Sequence, residues 1–329
     1  MKVGVLQFFG WADRRTPLAV IYQRAVERFG IMDRSGYDGV WLAEHHFSGF
    51  SVCPSVHMMA TMAAARTERL RIGTAVSLAP FYQPLRLAEE VALLDVLSGG
   101  RVNWGAGRGF ARGEFTAFGI PIEESASRFR ETVDIVLAAW THERLTHRGE
   151  HFDFDAVEVL PKPLQQPHPP VWMAATSESA IDWAAGRGFS ILMDPHCTQA
   201  ELAEKRRHYD ERLTAAGHSP IGRDIPMARL IAVSEDAGRA EEVARRGAAW
   251  TVGAYIGPRH GHTPAGQKPS ELDPIERYVG EVILHGTPES VVDQILALQE
   301  SAALNYLLCA PLSQESFTLL TDRILPALA

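Results

Sequence analysis

The sequence has 329 residues, 46% apolar and 22% charged, with a formal net charge of −8 at pH 7 and no basic block. That composition supports a large core and argues against nucleic acid and anionic membrane surfaces as partners, so a small or neutral ligand is the default. Cys53, Cys197 and Cys309 are scattered and form no CxxC pair, so neither a disulfide framework nor a structural zinc site is expected; each thiol reads as a small buried hydrophobe.

The β-rich run 3–9 opens the chain and reads as a strand, not a signal peptide. No apolar run approaches the ~20 residues that a membrane span needs, and a cytoplasmic protein is expected. A helix follows over about 17–35, with Thr16 as N-cap and Leu18, Ile21, Ala25, Phe29 and Met32 on one stripe. Gly36 ends it. A strand at 39–43, a helix at 55–65 and a strand at 70–77 come next. Pro84 then opens a helix with Leu87, Val91, Leu94 and Leu97 on one face, stopped by Gly99-Gly100. A strand at 102–105 and a helix at 125–141 lead into a polar excursion to Pro170 that suits a short hairpin. Alternation resumes with strands at 171–175, 189–193, 225–233 and 304–309. Between them lie helices at 177–186, 198–216 and 236–250 and one beginning at Thr287; Thr198 and Glu201 form a capping box. A last helix ends near 325. The stretch 257–275 is rich in Gly, Pro and His and reads as a long loop and candidate lid.

Eight apolar strands alternating with helices predict a parallel sheet covered by helices, and eight repeats in this length favour a closed (β/α)8 TIM barrel over an open sheet. No linker divides the chain. One domain over 1–329 is expected, with insertions near 142–170 and a lid loop near 251–285.

The chemistry-bearing residues cluster at strand ends. Glu44, His45 and His46 follow the second strand, where an acid and two imidazoles are costly to bury unless hydrogen-bonded or used. Adjacent strand residues point to opposite faces, so the two histidines do not readily share a metal; a pocket histidine that moves a proton fits better. Gly105-Ala106-Gly107-Arg108-Gly109 fails the dinucleotide fingerprint because Phe110 stands where glycine is required. It suits a glycine-rich loop that brings Arg108 to an anion, and equally a surface arginine in a permissive loop. Thr176, Ser177 and Ser179 open a helix, a place suited to phosphate, although capping alone explains them. Thr74-Ala75-Val76-Ser77 reads as packing.

These segments resemble, in order, a known family. The match runs through 41–47, Gly73-Thr74-Ala75, 84–95, Ser98-Gly99-Gly100-Arg101 leading into 105–109, 183–188 and Gly286-Thr287-Pro288-Glu289. Together they are similar to the bacterial luciferase-like, flavin-dependent monooxygenases. The resemblance implies a (β/α)8 barrel with insertions, commonly dimeric, that binds FMN or, in one branch, a deazaflavin. It implies that His45 is the catalytic group at the flavin and that Arg108 holds the FMN phosphate. It places Ala175, Thr176, Ser177 and Ser179 in a second phosphate loop. It makes Ala75–Val76 a non-proline cis peptide behind the isoalloxazine ring, with Glu44, Gly107 and Phe110 around the cofactor. Phe8, Phe9, His46 and Phe47 would shape the substrate pocket. Gly107 stands where luciferase has a reactive cysteine, and Thr176 and Ala180 replace its Glu and Thr, so thiol chemistry and light emission are not expected.

The activity so implied is a two-component monooxygenase. An NAD(P)H-dependent flavin reductase would supply reduced FMN, and O2 would oxygenate a small organic substrate through a flavin 4a-peroxide. A homodimer is implied, without metal. The alternatives are a deazaflavin-dependent dehydrogenase on the same barrel and a non-catalytic flavin-binding partner subunit.

Overall fold

The structure, a computed structural model, describes residues 1–12, 14–256 and 272–328. Residues 257–271 of the expected lid loop lie outside the described residues. In chain order the elements are β1 (Lys2–Gln7), α1 (Leu18–Ser35), β2 (Gly39–Leu42), α2 (Val56–Arg66), β3 (Arg71–Thr74), β4 (Ser77–Leu78), α3 (Pro84–Leu97), β5 (Val102–Gly107), α4 (Arg112–Ala117), α5 (Ser125–Thr141), β6 (Leu145–Arg148), β7 (Asp153–Val157), β8 (Val171–Ala174), α6 (Glu178–Gly186), β9 (Ser190–Leu192), α7 (Gln199–Ala215), β10 (Pro226–Val233), α8 (Ala237–Thr251), α9 (Pro274–Arg277), β11 (Leu284–Gly286), α10 (Pro288–Ser301), β12 (Tyr306–Pro311) and α11 (Gln314–Leu319). The fold is α/β, with a mostly parallel sheet and helices between the strands. The stretch expected as one strand at 70–77 divides into β3 and β4, and the Ala75–Val76 peptide bond between them is cis.

The chain forms two compact units. One comprises 8–33 and 41–172. Here β3 and β4 both run parallel to β5, with Gly73 opposite Asn103 and Ser77 opposite Ala106. Close approach explains two glycines. A Cβ on Gly73 would sit 2.2 Å from the Trp41 ring, and one on Gly105 would sit 2.0 Å from the Thr74 carbonyl oxygen. Without those methyls, the Trp41 ring packs over Gly73 and meets Trp172 at 5.2 Å in a T-shaped contact, and the Thr74 hydroxyl bridges to the Gly105 backbone in both directions. Arg101 reaches the carbonyls of Ala64 and Leu70 and so closes the C-terminal end of α2. The polar excursion holds the expected hairpin, β6 antiparallel to β7. It is tied back by Gln165, whose backbone and side-chain N–H groups both bond the fully buried Asp95 carboxylate.

The other unit comprises 1–7, 34–40 and 173–329. In it β1 pairs parallel with β12, β12 with β10, and β10 with β11, while Met193 bridges to Met227. Gly4 lets β1 approach β2, since a Cβ there would meet the Gly39 carbonyl at 2.7 Å. The capping box at Thr198 and Glu201 forms as the spacing predicts. Glu201 also takes both its oxygens to Arg277 in a buried pair, which sequence reading did not find. β11 was likewise not read from the sequence; three residues are too few for a period to show.

Candidate active site

The chain leaves β2 at Leu42 and turns back on itself in the first unit. His45 N–H bonds the Cys53 carbonyl, while Phe9 N–H reaches the Ser51 hydroxyl and Val52 N–H the Phe9 carbonyl. These bonds fix 45–53 beside 8–11 and set the acid and both imidazoles in place.

The three residues divide into two roles. Glu44 has a fully buried side chain, and protein donors use both its oxygens. His46 Nε2 lies 2.9 Å from Oε1; the Tyr82 hydroxyl at 2.9 Å and the Leu78 N–H at 3.4 Å reach Oε2. Such satisfaction is what a buried carboxylate requires. Burial, reinforced by Glu44, pushes the Tyr82 phenol far up and the Cys53 thiol up to about 12, so both stay protonated. His46 is further enclosed by Phe81 and Phe118 at 5.9 and 4.8 Å, with the 74%-exposed Phe47 at its rim.

His45 is placed differently. Its half-buried ring is stacked with Phe8 at 6.5 Å and meets the edges of Phe50 and Phe110 at 5.3 and 6.4 Å. Nδ1 lies 3.8 Å from Glu114 Oε1, and the same oxygen accepts the His46 N–H at 2.8 Å. An imidazole beside a buried carboxylate and walled by aromatic rings can hold and move a proton with little competing water. Phe9, at 1% exposure, packs on Tyr22 behind this wall.

A second chain of groups starts at Ser77, the residue after the cis peptide. His57 bridges the buried Ser77 hydroxyl at 3.0 Å and the Glu90 carboxylate at 2.9 Å. Ala75 and Val76 themselves are half-buried.

Gly107 ends β5 and is buried; Arg108 follows it and is exposed. Its guanidinium reaches the Ser125 hydroxyl at the start of α5 at 3.5 Å. In the other unit, Ala175 is buried and Thr176 half-buried. Ser177 caps α6 by accepting the Ala180 N–H, and its hydroxyl lies 3.3 Å from that of Ser179. The capping role read from sequence is thus present.

Sequence reading missed Glu114, Phe50, Phe81, Phe118 and Tyr82. Glu114 lies on a six-residue helix that shows no period, and the aromatics converge from three separate segments. Among the described residues, no group of three or more His, Cys, Asp or Glu side chains is placed to hold a metal ion.

A family model for luciferase-like monooxygenases matches residues 1–305. The chain belongs to that family. It is 31% identical over 193 residues to the oxygenase component of the flavin-dependent trigonelline monooxygenase of Acinetobacter baylyi, covering 58% of this chain and 53% of that one. The chain spans about half the length of the curated relatives it first matches. Monooxygenase RslO1 from Streptomyces bottropensis superposes with a TM-score of 0.88 at 26% identity, over 100% of both chains. Two structures share the fold at lower identity. One is the oxygenating constituent of 3,6-diketocamphane monooxygenase of Pseudomonas putida, solved with FMN (TM-score 0.83, 20%, 99% of this chain and 98% of that one). The other is the coenzyme F420-dependent tetrahydromethanopterin reductase of Methanopyrus kandleri (0.79, 18%, 100% and 99%).

Proposed function

We propose that the protein is the oxygenase of a two-component system that takes reduced FMN from a separate NAD(P)H-dependent flavin reductase and, with O2, oxygenates a small organic substrate. The observation that carries this reading is the His45 imidazole, set beside buried Glu114 within an aromatic wall at the end of β2. The two-component arrangement is supported by the name of the trigonelline enzyme, and FMN by the diketocamphane complex. Bound reduced flavin supplies the two electrons that O2 activation needs.

The residues present fit such a group. Arg108 is exposed and makes one long hydrogen bond, so its planar donor fork is available to a phosphate. Thr176, Ser177 and Ser179, with Ala175, are proposed as further phosphate contacts. Ala75, Val76, Gly107 and Phe110 are proposed beside the ring system. Glu44 holds His46 and Tyr82, and in this reading it acts on the cofactor through them. His45 holds and moves a proton at its imidazole. Phe8, His46 and Phe47, with Phe9 behind, shape the substrate pocket and exclude water. The Met193–Met227 bridge supports a closed eight-stranded barrel as part of the same proposal. Exposed Met58 and Met62 on α2 and Leu93 and Leu97 on α3 support a homodimer.

The second reading is hydride transfer with a deazaflavin coenzyme, favoured by the fold shared with the F420-dependent reductase. Anaerobic titration with reduced FMN, riboflavin and F420 separates the two. FMN is expected to bind more tightly than riboflavin. Arg108→Ala is expected to weaken FMN about 10- to 100-fold, the loss of a charge-assisted hydrogen bond, while leaving riboflavin unchanged. Selective binding of F420, or an Arg108→Ala variant that binds FMN as the wild type does, would overturn the assignment.

A further inference from the structure

Glu114 is a buried carboxylate that nothing in the sequence singled out. Its side chain is 6% exposed, and a carboxylate in such a place requires partners. Oε1 accepts the backbone N–H of His46 at 2.8 Å, which fixes the carboxylate in position. The same oxygen faces Nδ1 of His45 at 3.8 Å. The His46 ring, for its part, has Nε2 at 2.9 Å from Glu44 Oε1. The two adjacent imidazoles thus have separate acids. Glu44 serves His46, and Glu114, arriving from α4 after the glycine-rich loop, faces His45.

We propose that Glu114 is a positioning residue for His45: it keeps the neutral imidazole in the Nδ1–H tautomer and fixes the plane of the ring, so that Nε2 is the nitrogen committed to proton exchange in the pocket. A carboxylate accepts and does not donate, so a ring nitrogen that faces it is best satisfied by carrying the proton. A histidine tautomer is set by the bond its other nitrogen makes, and an oriented imidazole is what efficient proton transfer needs. A separation of 3.8 Å is long for a hydrogen bond, as catalytic contacts often are before the site is filled. The proposal rests on the reading of His45 as the proton-handling group.

Nitrogen NMR of the protein with 15N-labelled histidine tests it. The His45 signals are assigned by their disappearance in His45→Ala, and the tautomer is read from the wild type at a pH where the ring is neutral. The expected result is a dominant Nδ1–H form that is lost in part in Glu114→Ala, reverting toward the Nε2–H form that free histidine favours. Glu114→Asp, which keeps the charge, is expected to retain more of the Nδ1–H form than Glu114→Ala does. A dominant Nε2–H form in the wild type overturns the proposal, and that measurement requires no variant of Glu114 to fold. An unchanged tautomer in a folded Glu114→Ala overturns it as well. The spectra need neither flavin nor substrate. Failure of the wild type to bind reduced FMN would therefore count against the proposed function and leave the tautomer result standing.

Discussion

Glu90 shows how a single residue links exposed Arg86 to buried His57 and, through it, to Ser77. Its hydrogen bond to His57 holds the carboxyl down, against the opposing effect of burial and with help from Arg86, to about 2 in place of the usual 4.5. A carboxyl depressed in the folded state stabilises that state above its unfolded value and loses the contribution as pH falls through its folded value. The window is therefore from about 4.5 down to about 2. Discounted for the partial exposure of the side chain, the contribution is about 1–2 kcal/mol at neutral pH. Thermal melts of wild type and Glu90→Gln are expected to differ at pH 7 and to converge near pH 2. Parallel curves at all pH values would show that Glu90 is not tied to His57.

At the scale of elements, the packing of β2, β3 and β5 in the first unit depends on missing methyl groups. The added Cβ in Gly105→Ala would stand 2.0 Å from a backbone carbonyl, which no side-chain rotation relieves. A loss of about 3 kcal/mol or more is expected by denaturant titration, at the upper end for an overpacked core. A variant as stable as wild type would mean that β3 and β5 approach less closely. The same contacts explain what was legible in the sequence. Trp41, Gly73 and Gly105 stand out as motif residues, and of the four α3 residues read on one face, Leu87, Val91 and Leu94 are buried while Leu97 is 59% exposed at the helix end. The Thr198–Glu201 signal formed as read because a capping box is local. Glu114 on α4 and Phe118 just after it are not legible, because their importance lies in which distant segment they meet and no spacing along 112–118 records it. Glu44 was legible as a costly residue, but its partner Tyr82, 38 residues away, was not.

For the whole molecule, a net charge of −8 and the absence of any helix long and apolar enough to cross a membrane among the described residues frame the assembly question. Leu93 at 48% and Leu97 at 59% exposure sit on α3, and Met58 at 73% sits on α2. Light scattering is expected to give a dimer for wild type and a monomer for Leu93→Asp combined with Met58→Asp. A monomeric wild type would contradict the proposed dimer. In the proposed function, His45 moves a proton in the chemistry of reduced flavin with O2. That role is tested most directly by mixing the anaerobic complex with reduced FMN into air-saturated buffer containing an aldehyde, a ketone or an organic sulfide, and measuring oxygenated product. The expected result is product from wild type with at least one of these, and about 100-fold less from a His45→Ala variant that still binds the flavin. Equal product from that variant would contradict it.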